Sequence, residues 1–305
     1  MNEGYTYSER IGGAFAGRAL LAHLSSRFGH SSEAQWRERI EGGAVRVDGA
    51  RARADDLLRP GQVVAWMRPP WTEPPAPLTY AVLAEDSHLV AVAKPSGLPT
   101  LPGGGFLQNT LLALVRRRYP EASPLHRLGR GTSGVVLLAR SSEAAGAVAK
   151  AWREHRILKI YRALVEGEPA RDAFAVTCPI GPVPHPRLTW VHAVCAPGKA
   201  ARSEVRVLER RGAASLVEVR IETGRPHQIR IHMAACGHPL AGDPLYAPGG
   251  GLRDGGSALP GDVGYRLHAK RLCYTHPATD EPVVVECLPP RVLRTSAELS
   301  QEQKG

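Results

Sequence analysis

Four segments of the chain carry more basic, polar and glycine residues than a plain structural element needs. They are Lys94-Pro95-Ser96-Gly97; His126-Arg127-Leu128-Gly129-Arg130-Gly131-Thr132-Ser133-Gly134; Lys159-Ile160-Tyr161; and Gly224-Arg225-Pro226-His227-Gln228-Ile229-Arg230-Ile231-His232. The second runs straight into an apolar stretch, so its backbone N–H groups and guanidinium groups are placed to meet a phosphate. Other chemistries fall away. The loop lacks the G-x-x-x-x-G-K-[ST] spacing of a nucleoside-triphosphate loop, no G-x-G-x-x-G opens a strand–helix unit, and Gly103-Gly104-Gly105 reads as a turn. Ser133 is followed two residues later by Val135, which breaks the G-x-S-x-G pattern of a hydrolase elbow. His227 and His232 stand five apart, off a common helical face, and no H-E-x-x-H occurs, so the histidines do not read as a metal site.

The 305 residues favour two domains. Lys plus Arg is 39 against 29 for Asp plus Glu, a formal net charge of +10. That balance points to an acidic partner such as nucleic acid, or to a basic surface alone. Only six of the basic residues are lysines, and an arginine-rich composition also follows from a GC-rich coding sequence. Five dispersed cysteines without a C-x-x-C pair argue against a zinc cage or a disulfide framework and fit a reducing cytoplasm. No export signal is expected from MNEGYTYSER, and no run approaches the about 20 apolar residues of a membrane span.

The elements that must position these segments follow from periodicity. Five prolines within residues 68–78 exclude helix and central strand, which makes this stretch an extended linker. Before it, residues 1–67 form a small domain of two short helices and small strands, studded with Arg18, Arg27, Arg37, Arg39, Arg46, Arg51 and Arg53. After it, residues 79–290 alternate strand-like runs, including 88–92, 134–139, 160–165, 204–208, 216–221, 267–274 and 283–287. Ser141-Ser142 caps a helix running to about His155. A second helix should begin at Pro226, carry His227, Arg230 and Met233, and stop at Gly237. The expected class is α+β around a mixed or mostly antiparallel sheet, with a glycine-rich mobile loop over residues 248–264 and a polar tail over 291–305.

Taken in order, H-R-L-x-R-x-T-S-G before an apolar strand, K-x-Y about 25 residues later, and G-R-x-H-Q-I-R-x-H followed by GHPLAGDPLY closely resemble the RluA-type pseudouridine synthases. Lys94-Pro95-x-Gly97 and Leu267-His268-Ala269 complete the motif order, so the resemblance spans roughly Tyr80 to Pro289. The first domain more loosely resembles the alpha-L type RNA-binding module. The resemblance implies isomerisation of uridine to pseudouridine in structured RNA (rRNA or tRNA) by a monomer, with no cofactor or metal and no DNA or membrane partner. It also implies that the base leaves its stack to react. By the same resemblance Tyr161 stacks on the uracil and moves a proton, and Arg230 partners the catalytic carboxylate. His126, Arg127, Arg130, Thr132, Arg225, His227 and Gln228 would then contact RNA or the uridine. Plainer readings stay open: Arg127 as a phosphate ligand, Tyr161 as a half-buried strand residue, Arg230 as cover for a helix face.

One position departs from the pattern. Gly129 stands where the family has the aspartate that attacks the sugar or removes its proton, and no Asp or Glu occurs between Ala122 and Ser142. Arg230 then needs another counter-charge: RNA phosphate, water, or a distant acid such as Asp243. If the carboxylate is all that is missing, Gly129→Asp would create activity, unless Gly129 holds a positive φ. The other function class is a catalytically silent RNA-binding protein on the same scaffold.

Overall fold

The computed structural model describes residues 1–253 and 257–302. The chain separates into two compact units, Met1–Glu73 and Pro74 onward. In the first, β1 (Tyr5–Arg10) and β2 (Val45–Val47) flank β4 (Val63–Arg68), and β3 (Ala50–Arg51) pairs with β2, giving the antiparallel order β1-β4-β2-β3. Helices α1 (Leu20–Arg27) and α2 (Glu33–Glu41) pack Leu20, Leu24, Trp36 and Ile40 against Val45 and Val64. Ser32 caps α2 through a reciprocal box with Gln35, which satisfies two otherwise orphaned N–H groups. Strand β1 is new relative to the sequence reading: its residues are mostly exposed, so it shows no apolar alternation.

The second unit is built on a ten-stranded sheet. Its strands are β5 (Ala81–Glu85), β6 (Leu89–Lys94), β7 (Ser123–Pro124), β8 (Ser133–Ala139), β9 (Leu158–Glu166), β10 (Ala173–Val176), β13 (Ser203–Arg210), β14 (Ala214–Ile221), β15 (Leu267–Thr275) and β16 (Pro282–Glu286). They run in the order β10-β13-β14-β9-β15-β8-β6-β5, with β7 on β8 and β16 on β15. A separate hairpin joins β11 (Ile180–Pro184) to β12 (Trp190–Val194). The β8–β15 pair is parallel and the other pairings are antiparallel, so the sheet is mixed and mostly antiparallel, as expected.

Strand β8 is buried along its whole length because both faces of the sheet are covered. Val135 and Leu137 meet α4 (Ser142–Arg153), whereas Val136 and Leu138 meet α3 (Leu111–Arg116). A third cluster packs α5 (Gln228–Ala235) through Ile229 and Met233 onto Val165, Val217 and Val219.

Three local expectations change. Helix α5 starts at Gln228 rather than Pro226, because His227 takes a left-handed conformation (φ 56°, ψ 19°) and turns the chain just before it. The segment from 291 is polar but folded: Leu293 is buried, and α6 (Ser296–Glu302) places Glu298 3.0 Å from Arg162. Residues 303–305 of that tail lie outside the described residues. The glycine-rich stretch 248–264 is tied down where it is described. Arg130 Nε donates to the Gly261 carbonyl (2.8 Å), Arg230 Nη1 to the Pro260 carbonyl (3.1 Å), and the His185 ring bonds the Ala258 carbonyl (3.1 Å). Residues 254–256 of it lie outside the described residues.

Candidate active site

The loop 127–131 is held by the Lys94-Pro95-Ser96-Gly97 turn rather than by its own sequence. Lys94 Nζ donates to the carbonyls of Pro95, Leu98 and Arg130, Gly97 N donates to the Arg130 carbonyl, and Ser96 Oγ to the Gly131 carbonyl. Thr100 Oγ1 exchanges two hydrogen bonds with the Leu128 backbone. Burial brings Lys94 down to about 7, while the three carbonyls take up the three N–H groups of its ammonium. Below the loop, Gly134 lets strands β8 and β15 touch: a Cβ there would lie 2.2 Å from the Ala269 carbonyl oxygen. Ser133 Oγ and the His268 ring bond across that contact (2.8 Å).

Against this loop lies a concavity lined by Arg127, Gly129, Thr132, Tyr161, Arg225, His227, Arg230 and Tyr265, with Ile221, Leu267 and others as its apolar floor. Strand β9 presents Tyr161, α5 presents Arg230, and the segment leading into β15 presents Tyr265. Arg127 is exposed, and its guanidinium makes no hydrogen bond or ion pair among the described residues. Tyr161 is pushed up to about 12 by burial, so it stays a neutral phenol across the physiological range, an aromatic face with a proton to donate.

Arg230 is 2% exposed and clamped by Asp243: Nε to Oδ2 at 2.6 Å and Nη2 to Oδ1 at 2.8 Å. Burial opposes its charge, yet the Asp243 carboxylate holds it above its ordinary value. Asp243 Oδ1 also accepts from the backbone N–H groups of Leu245 and Tyr246. Of the three counter-charges considered for Arg230, the protein supplies this one. Asp243 is thereby a clamp for the arginine and not a free acid.

The predicted site residues divide accordingly. Arg127, Thr132, Tyr161, Arg225, His227 and Arg230 converge on the concavity. Gln228 reaches it too, but its amide is occupied within the protein, accepting from Thr223 Oγ1 and Arg225 N and donating to the Arg202 carbonyl and Ser203 Oγ. It positions the turn ahead of α5. His126 stacks on Trp152 (4.7 Å) and accepts from Leu137 N, and the Arg130 side chain turns to Gly261 and Phe106; neither lines the concavity. A larger hollow of about 520 Å³ lies over β10, β13 and β14, but Arg202 and Arg206 there already face Glu204 and Glu218.

Sequence reasoning missed Tyr265. It is 3% exposed, with the Arg230 guanidinium 4.2 Å from its ring centroid and its hydroxyl 3.3 Å from Thr132 Oγ1. A Cβ on Gly129 would lie 2.8 Å from the Tyr265 hydroxyl, and one on Gly131 would lie 2.9 Å from its ring. Neither glycine has a left-handed φ. Both are glycine to make room for the tyrosine, not to permit a turn. The signal available in sequence was an aromatic residue two positions before the Leu267-His268-Ala269 block.

His227 is bonded to the Tyr246 hydroxyl (2.8 Å) and held down at about 3 by burial and the Arg230 charge; His126 is held at about 4 by burial and Lys159. Unfolded, both rings take a proton near 6.5. Between that value and about 4 the unfolded chain binds protons the folded chain refuses, so stability should fall as pH drops through this window. Thermal melts at pH 7 and pH 5 check this. His126→Gln, which keeps an acceptor for Leu137 N, should flatten part of the decline, and an unaltered pH dependence would show that burial of His126 is not its source.

A buried, clamped cation, a neutral phenol and an exposed guanidinium thus surround one apolar floor. Residues 88–235 match the family model described as RNA pseudouridylate synthase. The chain is 42% identical over 277 residues to an RNA pseudouridine synthase of Synechocystis, covering 90% of this chain and 95% of the relative. It is 36% identical over 279 residues to ribosomal large subunit pseudouridine synthase D of Xanthomonas campestris, covering 87% of this chain and 82% of the relative. The fold matches human RNA pseudouridylate synthase domain containing 1 with a TM-score of 0.58 at 24% identity, over 77% of this chain and 98% of that one. The chain belongs to the RluA-type RNA pseudouridine synthase family, and its second unit has the mixed-sheet fold of those isomerases.

Proposed function

We propose that this protein isomerises uridine to pseudouridine in structured ribosomal RNA, acting as a monomer in the cytoplasm. The observation that carries the reading is the convergence of Arg127, Tyr161 and Arg230, from three distant segments, on one concavity. The target nucleotide leaves its stack to reach it. Tyr161 lies against the uracil face and, as a neutral phenol, donates rather than accepts a proton. Arg127, without a hydrogen-bond or ion-pair partner among the described residues, takes a backbone phosphate or the displaced base. Arg230, fixed by Asp243, supplies positive potential beside the sugar as negative charge leaves on the uracil. The reaction rearranges bonds without oxidation, so these residues need no redox partner.

Ribosomal RNA is favoured over transfer RNA by the Xanthomonas relative's name. The reducing compartment rests on five cysteines, all free thiols. Among the described residues no helix is long and apolar enough to cross a membrane. The first unit supplies RNA affinity through arginines such as Arg18, Arg46 and Arg53, all exposed.

The missing carboxylate at Gly129 favours one second reading, an RNA-binding protein without catalysis. Pseudouridine mapping of cellular RNA with and without the gene decides between them. A ribosomal uridine modified in the gene's presence and restored by purified protein supports the proposal. Tight RNA binding with no modified position on any cellular RNA would reject it.

A further inference from the structure

We propose that the Tyr265 phenol oxygen stands in for the carboxylate that position 129 lacks, and that it takes the proton from ribose C2′ of the target uridine. This rests on the isomerase reading above. The placement is direct: the hydroxyl lies 2.8 Å from where the Cβ of residue 129 would sit, within the region a carboxylate on that Cβ would occupy. Tyr265 also forms part of the wall shared by Arg127, Tyr161 and Arg230. Among the described residues that wall holds no Asp or Glu, and both oxygens of Asp243 are engaged by Arg230.

The other two tyrosines nearby are less suited. Tyr161 is raised to about 12 by burial, and the Tyr246 hydroxyl is taken up between the His227 ring and the His192 carbonyl. The Arg230 guanidinium stands over both Tyr246 (5.0 Å to the centroid) and Tyr265 (4.2 Å), but among the described residues only the Tyr265 hydroxyl faces Gly129, with Thr132 Oγ1 at 3.3 Å to hold the oxygen in place.

The step balances as an isomerisation. Tyr265 first gives its phenolic proton to solvent. The phenolate then takes the C2′ proton; the C2′–H electron pair becomes a C1′=C2′ double bond, and the N1–C1′ pair leaves with uracil as its anion. The base turns, C2′ recovers its proton from the phenol, and C5 bonds to C1′. The C5 proton is then lost and N1 gains one. No oxidant, reductant or third substrate enters.

The test uses the full chain and ribosomal RNA from cells lacking the gene. Tyr265→Phe removes one oxygen and keeps the ring under Arg230. Pseudouridine formation should fall about 100-fold or more, the range of a lost general base, while RNA affinity and melting temperature stay at wild-type values. The discriminating readout is pH. A phenol loses its proton only well above neutrality, so wild-type kcat/KM should climb between about pH 6 and 9, where a carboxylate-driven reaction is already flat. A fluorinated tyrosine at 265, with a more acidic phenol and nearly the same volume, should move that climb to lower pH. It also serves if Tyr265→Phe fails to fold. Wild-type activity that is flat with pH, or Tyr265→Phe within twofold of wild type at every pH, overturns the phenol's role and leaves the isomerase reading standing. Wild type that binds RNA and forms no pseudouridine overturns that reading and this one with it.

Discussion

Asp243→Asn should lower the stability of the second unit by about 3–5 kcal/mol, the cost of stranding a buried cation. Arg230 is nearly inaccessible and its partner carboxylate wholly so, with two short bonds joining them in parallel. An asparagine must turn its NH2 group either toward Arg230 Nε, at the Oδ2 position, or toward Arg230 Nη2 and the Leu245 and Tyr246 N–H groups, at the Oδ1 position, so either orientation sets donor against donor. Urea denaturation of wild type and variant measures the difference. The same experiment separates two roles for the acid. Were Asp243 a reacting acid substituting for the one absent at 129, the amide would abolish product at unchanged stability. As a clamp, its loss should lower stability and activity together, and a variant as stable as wild type would contradict the clamp.

How far the sequence disclosed this site depends on how local each relation is. Ser141 as a cap, the hairpin around Arg211 and the continuous apolar run of β8 arise between neighbours in the chain, and the pattern of residue types displays them. Strand β1 was hidden because it is exposed on both faces, and α3 because six residues offer little more than one turn of periodicity. The motif residues Arg127, Tyr161 and Arg230 were legible as a set through family resemblance. Their supports were not. Lys94 reaches the Arg130 carbonyl across 36 positions, and Tyr265 reaches Thr132 across 133. His126 shows the converse: a histidine inside a functional motif whose ring serves the backbone of β8. The glycines of the loop illustrate the limit most clearly, because a glycine chosen to admit another side chain looks in sequence like one chosen for a turn.

Gly129→Asp should therefore destabilise the protein rather than awaken it. The sequence alone gave a positive φ as the obstacle, but the backbone at 129 lies outside the left-handed region. The obstacle is Tyr265, whose hydroxyl would sit 2.8 Å from the new Cβ. That tyrosine has little freedom to withdraw, because Arg230 lies over its ring, the loop passes so close that a Cβ on Gly131 would lie 2.9 Å from the ring, and the side chain belongs to the core cluster of Val165, Val217 and Ile229. Overpacking of this kind costs about 1–3 kcal/mol. Tyr265→Ala alone should also destabilise, by leaving a cavity. Combined, each change fills or clears the space the other disturbs, so the double variant should be more stable than the two single losses added, by about 0.5–3 kcal/mol of coupling. The double variant also brings a carboxylate to the wall beside Arg230, and any pseudouridine it forms should be independent of pH above about 6, where a carboxylate is already ionised. Denaturation of all four proteins gives the coupling energy directly. Strict additivity, or a Gly129→Asp variant as stable as wild type, would show that position 129 and Tyr265 do not compete for one space.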